Sequence, residues 1–328
     1  MNHKLVEEKK EKKSDLKAFI LKLLVSLIFV FILFKILKLD INSFIEKIRS
    51  LNIFYFSLAS LFATICIFTN TFRWWIITKV FKYNFSYLRG LVWYFEGMFA
   101  NNFFPSNIGG DALRAYYLAN TNFKDKSIDW LNAGLTVFLE RLFGFIMMFF
   151  FLPFGMICLF VFNLSSVIPK NLMPILIGLS FVPFIMVLTY KFWINLPISI
   201  KAFQKIKISI DSFSKSKEEI LTVIVWTFIT HLSLMALNIF SALAVGVNIN
   251  TIPIWYWLLV IPFGTLSAFV IPAMKGVGAK EATYIFLLGL IGVNNEISFV
   301  IAVTVFLATT VSTLPGIIIL RRGLKIFK

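Results

Sequence analysis

The sequence predicts an all-α, polytopic helical membrane protein with six full spans and two re-entrant or broken helical hairpins in an inverted-repeat arrangement. Three observations carry this. First, 59% of the 328 residues are hydrophobic and only 15% are charged, and several apolar runs exceed the roughly 20 residues that cross a bilayer as a helix. The alternating short segments of a membrane barrel are absent. Second, two segments inside long apolar stretches rhyme: PSNIGGDALR at 105–114 and PAMKGVGAKE at 272–281. In each, a proline is followed four residues later by a glycine and nine residues later by a charge. The pairs are Pro105/Pro272, Gly109/Gly276 and Arg114/Glu281. Third, the excess of Lys and Arg, a formal net charge of +16, is concentrated on particular loops, as membrane topology requires.

The elements follow in chain order. Residues 1–15 form a charged tail. The apolar run 16–39 is longer than a secretory core and has no small-residue cleavage site, so it stays as a membrane helix. Residues 40–50 read as a loop of mixed charge, with Lys47 and Arg49 beside Asp40 and Glu46. Further full spans are expected at 51–72, 131–162, 172–190, 219–246 and 298–320. Residues 86–104 form an apolar arm that breaks at Pro105–Gly110 and continues as a short arm to about Ala119. Residues 253–271 repeat the plan, with a break at Pro272–Gly278 and a short arm near 279–292. Non-helical backbone at that depth is tolerated only inside protein or beside a wet cavity. The alternative is that each odd region is two ordinary spans, ten in all. The whole reads as one membrane domain, 16–325. Its first repeat is about 51–162 and its second about 219–320, joined by the span 172–190 and the Lys-rich loop 191–218.

Charge sets the orientation. The tail has six Lys by residue 17, the segment 73–89 has Arg73, Lys79, Lys82 and Arg89 with no acid, and the loop 191–217 has six Lys against one Asp. The end carries Arg321, Arg322, Lys325 and Lys328, whereas 247–252 and 293–297 have neither Lys nor Arg. Positive charge inside then places both termini in the cytoplasm of a cytoplasmic (inner) membrane protein. The first hairpin opens from the cytoplasm and the second from outside. That is the symmetry alternating access uses, with a binding site at the repeat interface near the midplane. Nucleic-acid binding is not expected of charge so distributed. Attraction to anionic lipid is a secondary reading.

The candidate site residues lie at the breaks and inside the spans. Gly109 and Gly110 permit a sharp turn and close backbone approach. Ser106, Asn107 or Asp111 would cap the short helix that follows, and its free N–H groups would favour an anion. Arg114 adds a planar donor suited to phosphate or carboxylate. The plain alternative pairs Asp111 with Arg114, or lets Arg114 snorkel. Lys275, Lys280 and Glu281, with Gly276 and Gly278, stand at the matching place in the second hairpin. Glu281 would pair with Arg114 as a gate, carry a coupling proton, or simply hold the hairpin. Glu140 and Arg141 lie inside an apolar span and point about 100° apart, so each needs a partner elsewhere. Arg114 is the expected partner of Glu140. Arg73, before Trp74 and Trp75, reads as an interfacial anchor. Glu96, His231 and Asn238 read as interhelical hydrogen-bond glue.

Other chemistry finds little support. Cys66 and Cys158 lie in apolar segments and read as buried thiols. His3 and His231 are too far apart for a zinc site. Asn122, Asp125 and Asp129 resemble half of the Asp-rich magnesium site of membrane prenyltransferases, but the only later Asp is Asp211. No serine–histidine–acid set, HExxH or Walker sequence occurs. No cofactor or metal is expected.

PSNIGGDALRAYYL, the Glu-Arg at 140–141 and PAMKGVGAKEA together resemble the lysylphosphatidylglycerol synthase transmembrane-region family of flippase-like membrane proteins. The resemblance spans about 15–325. The second motif departs from the family pattern: Ala273, Met274 and Lys275 replace small residues, and Lys280 stands where Arg is usual. Some members are fused to a soluble aminoacyltransferase domain, for which this chain has no room, so no lysyltransferase activity is expected. The resemblance implies a transporter or flippase of an anionic lipid or polyprenyl-linked glycolipid. Under that reading Pro105, Gly109, Gly110, Asp111, Arg114, Glu140, Arg141, Pro272, Lys275, Gly276, Gly278, Lys280 and Glu281 form the substrate site. The alternatives are an integral-membrane transferase acting on a polyprenyl phosphate or phospholipid, a transporter of a small soluble anion, or an assembly partner of envelope-biosynthesis enzymes.

Overall fold

The computed structural model describes residues 41–102, 108–121, 130–162, 213–270 and 277–317, with isolated positions elsewhere. The expected spans 16–39 and 172–190, the loop 191–210 and the two breaks at 103–107 and 271–276 lie outside this set, apart from those isolated positions. Among the described residues every regular element is helical. They are α1 (Ile41–Arg49), α2 (Ile53–Val80), α3 (Tyr87–Ala100), α4 (Ile108–Ala119), α5 (Trp130–Val161), α6 (Lys217–Ala244), a 3-10 turn (Ile254–Tyr256), α7 (Trp257–Val270), α8 (Ala279–Leu290) and α9 (Asn295–Thr313). Among the described residues four helices are long and apolar enough to cross a membrane: Ile53–Val80, Trp130–Val161, Lys217–Ala244 and Asn295–Ile317.

Local chemistry starts several of them. Asn52 Oδ1 accepts from the N–H groups of Phe54 and Tyr55 at 3.0 and 3.3 Å, satisfying two donors that a helix start leaves unpaired. Ser86 accepts from Arg89 N–H at the start of α3, and Asn294 from Glu296 N–H at the start of α9.

The two halves correspond in length. α2 and α6 each have 28 residues, α3 and α7 each have 14, and α4 and α8 each have 12. α2 and α6 pack along one another in opposite directions. Asn52 N–H donates to Ala244 O, Thr230 Oγ1 to Thr69 Oγ1 at 2.8 Å, and Arg73 NH1 to Thr227 Oγ1. α3 folds back along α2, with Phe95 on Phe68 and Tyr87 on Phe72. α4 returns along α3, placing Tyr117 on Trp93 and Gly110 on Gly97. In the second half α8 returns along α7, with Thr283 on Ser267 and Tyr284 beside Gly264. Each hairpin follows the C-terminal end of its leading helix, and the leading helices are antiparallel. The hairpins therefore open toward opposite ends of the bundle. The described part of a leading arm, 14 residues, rises ~21 Å against ~42 Å for a 28-residue helix.

Small residues allow the close approaches. A Cβ on Gly110 would overlap Gly97 O, and one on Gly97 would lie 2.8 Å from Gly110 O. Gly155 on α5 gives room to Leu259 of α7, and Gly316 to the backbone of Phe95. The largest apolar core joins α2, α5, α6, α7, α8 and α9 through side chains such as Leu152, Leu237, Trp257, Leu288 and Val305.

Two boundaries differ from expectation. The span expected to end at residue 72 continues to Val80, because Arg73 is not a boundary residue but a paired charge inside the bundle. Residues 41–49, expected as a loop, form a helix whose Phe44 packs on Phe299 of α9, and Ser43 donates to Glu296.

Candidate anion site

Five charged side chains from three helices, α2, α4 and α5, converge. Glu140, fully buried on α5, is the centre. Its Oε1 accepts from Arg73 NH2 of α2, and its Oε2 accepts from Arg114 NH2 of α4 at 3.2 Å. Asp111, one turn before Arg114, accepts from Arg114 NH2 at 2.6 Å. It also takes Arg141 in a two-pronged grip, Nε to Oδ2 at 2.9 Å and NH2 to Oδ1 at 2.8 Å, the strong planar geometry of guanidinium and carboxylate. Arg141 Nε stands 4.0 Å from Glu140 Oε2. α3 supplies Tyr94, whose hydroxyl lies 3.5 Å from Glu140 Oε1 and whose ring lies under the Arg114 guanidinium, 4.2 Å from the centroid. Trp74 backs the same guanidinium at 5.1 Å and donates to Thr136 Oγ1.

Three guanidiniums thus face two carboxylates. Glu96, also buried, hydrogen-bonds Tyr117 instead. Among the described residues one positive charge is left in surplus, where charges are expensive unless matched. Two donors of the cluster remain open: Arg114 NH1 and Arg73 Nε are buried and have no hydrogen-bond partner among the described residues. Arg114 is 1% exposed and Arg73 3%. An anion presenting two oxygens would satisfy both the surplus charge and the open donors.

The hairpin geometry positions Arg114. Asn101, at the end of α3, accepts from Gly110 N–H at 2.7 Å, which occupies one of the free N–H groups of the α4 start. Asp111 bridges two arginines rather than capping the helix. Gly109 and Gly110 let α4 sit against α3, and Arg114 then points across α3 to Glu140. Gly144, one turn beyond Glu140, leaves the space that Arg73 fills, its guanidinium nitrogens 3.6 and 3.7 Å from where a Cβ would stand.

The second hairpin does not join this cluster. Gly278 N–H donates to Glu281 Oε2 at 2.5 Å, so Glu281 caps the start of its own helix. Arg114 pairs with Asp111 and Glu140, not with Glu281. The two are not at matching helical positions either: Arg114 is the seventh residue of α4 and Glu281 the third of α8. Lys280 Nζ lies 5.5 Å from the Tyr284 ring centroid. Neither Gly278, Lys280 nor Glu281 makes an ion pair or hydrogen bond with the cluster among the described residues. Pro105, Pro272, Lys275 and Gly276 lie outside them, as do Ser106, Asn107 and Asn122, Asp125 and Asp129. No group of three His, Cys, Asp or Glu side chains suited to a metal occurs among the described residues.

The cluster is off the mid-length of the spans. Arg73 lies about 10 Å, and Glu140 about 8 Å, from the middles of α2 and α5 toward the Lys- and Arg-bearing ends. The sequence suggests an interfacial anchor of Arg73, Trp74 and Trp75 and gives Tyr94 no role, whereas Arg73 and Trp74 are buried at the cluster. The signal that would have found Arg73 is the buried charge of Glu140 and Arg141, which calls for more partners than one hairpin arginine supplies. Asn238, expected as glue, accepts from Tyr284 OH at 2.5 Å across α6 and α8. His231 Nδ1 lies 2.8 Å from Thr227 O within its own helix.

Four apolar membrane-length helices, paired hairpins and a charged cluster buried among them define a polytopic helical membrane protein. The family described as lysylphosphatidylglycerol synthase TM region matches residues 19–316, and the chain belongs to that family. No curated protein and no solved structure matches it.

Proposed function

We propose that this protein is a flippase or transporter that moves an anionic lipid, or a polyprenyl-linked glycolipid, across the cytoplasmic membrane. The observation that carries this reading is the surplus positive charge of the Arg73–Arg114–Arg141 cluster, together with the open donors on Arg114 and Arg73. A phosphate of a lipid head group is a matched ligand for such donors. In this reading the hairpins are re-entrant, both termini are cytoplasmic, and the cluster lies in the cytoplasmic half of the membrane, where it loads the head group. The opposite senses of the two halves supply the second, outward-facing arrangement. No covalent chemistry on the cargo is invoked, so the protein is not an enzyme in this account. Family membership supports a link to lipid handling.

The test is reconstitution into vesicles with fluorescent phosphatidylglycerol or phosphatidylcholine in one leaflet and a membrane-impermeant bleaching agent outside. The protein should speed crossing of the anionic analogue only, and Arg114→Gln should slow it about tenfold or more, as loss of one charge-assisted contact implies. Equal rates for both analogues, or unchanged crossing in the variant, would refute the reading. Uptake of soluble glycerol phosphate without lipid crossing would move it to a small-anion transporter.

A further inference from the structure

A second feature adjoins the charged cluster. α5, α6 and α7 enclose an apolar groove of about 380 Å³, including its open mouth, lined by Met148, Phe151, His231, Met235, Leu258 and Ile261. His231 is the only ionisable residue among its described lining residues. Its Nδ1 lies 2.8 Å from Thr227 O and its ring 5.8 Å from that of Phe151, so the groove offers little to a polar ligand.

The groove continues the faces that carry the cluster. On α5, Glu140, Gly144, Met148 and Phe151 follow at intervals of four, four and three, which is one helix face. On α6, Thr227, His231 and Met235 do the same, and Thr227 holds Arg73. The groove therefore starts about 12 Å along α5 from Glu140, with the Arg73 guanidinium lying against Gly144 between them. Its mouth opens to the outer face of α6. Leu232 lines the groove and is 48% exposed, in register with exposed Leu221, Val225 and Phe228. An occupant entering there comes from the hydrocarbon of the bilayer.

We propose that this groove holds one hydrocarbon chain of the same lipid whose anionic head group sits at Arg114 and Arg73. This rests on the head-group reading above and extends it. The head group is then held by helices of the first half, while Leu258 and Ile261 of the second half contact the chain, so one cargo molecule spans both halves. A chain leaving lipid for an apolar groove gains little from the hydrophobic effect, because lipid tails are as apolar as the lining. The groove thus sets where the chain lies, and the guanidiniums set which lipid is retained.

The experiment uses the full chain in nanodiscs containing phosphatidylglycerol or phosphatidylcholine with a diazirine in one acyl chain, and maps adducts by mass spectrometry. Wild type should yield adducts at Met148, Phe151 or Met235 with the anionic lipid. Arg114→Gln should lower them about tenfold. Leu232→Trp, which adds bulk at a half-exposed position of the lining, should abolish the groove adducts. Groove adducts from both lipids alike, or unaffected by Arg114→Gln, would overturn the inference and mark an ordinary lipid-facing surface. Retention that needs Arg114 with no groove adducts would overturn it too, yet leave the head-group reading standing. Loss of selective retention in wild type itself would remove the head-group reading.

Discussion

Arg114 NH2 lies 3.2 Å from Glu140 Oε2, and neither side chain is more than 1% exposed. A hairpin helix and a membrane-length helix are thereby joined by a buried ion pair, and the same carboxylate also takes Arg73. The three groups are not interchangeable, because removing each leaves a different charge behind.

Glu140→Gln should be the most damaging single change in the cluster. It leaves Arg73 and Arg114 without their shared counter-charge, and an uncompensated buried charge costs about 3–5 kcal/mol. The expected outcome is a large loss of folded protein and a lowered melting temperature in detergent. Asp111→Asn should cost less, since Asp111 is 17% exposed.

Arg114→Gln should be tolerated. Without Arg114, Arg73 still pairs with Glu140 and Arg141 with Asp111, so the remaining charges balance. The variant should purify with a melting temperature close to wild type while losing anion binding. Arg114→Lys should not restore binding, because an ammonium cannot reach two carboxylates and present an open planar donor at once. Thermal unfolding and lipid binding measured on the same samples check both statements.

Gly110→Ala should break the first hairpin. The new Cβ overlaps Gly97 O and lies 2.8 Å from Asn101 Oδ1, so α4 must move away from α3, and Arg114 with it. Gly134→Ala is the control: nothing lies within 4 Å of its Cβ, and in a helix interior alanine gains roughly 0.5–1 kcal/mol over glycine. Limited proteolysis should show the first variant opened and the second unchanged.

Much of this arrangement was legible in the sequence. The two Pro/Gly breaks located both hairpins: arms expected at 86–104 and to about Ala119 are helices 87–100 and 108–119. The contact between Arg114 and Glu140 followed from the rule that a buried charge needs a partner. What was not legible has physical causes. Arg73 reads as a span boundary because hydropathy treats a charge as an end, whereas its pairing with the buried Glu140 makes it an interior residue. The alignment of Arg114 with Glu281 was a match of linear spacing. α8 begins three residues past Gly276, which shifts Glu281 to a capping position. The helix 41–49 has a short apolar face, and its contacts with Phe299 and Glu296 of α9 reveal its register.

The antiparallel pairing of α2 with α6 is directly testable. Thr69 and Thr230 hydroxyls are 2.8 Å apart. With Cys66 and Cys158 replaced by Ser, the pair Thr69→Cys and Thr230→Cys should form a disulfide under mild oxidation. Moving one partner by two turns along its helix, as in Leu237→Cys with Thr69→Cys, should not.

The most direct test of the central claim is native mass spectrometry of protein extracted gently from its own membrane, comparing wild type with Arg114→Gln. The account predicts one anionic lipid class retained by wild type and absent from an equally stable variant. Equal lipid retention by the two proteins, or no anionic lipid on wild type, would contradict it.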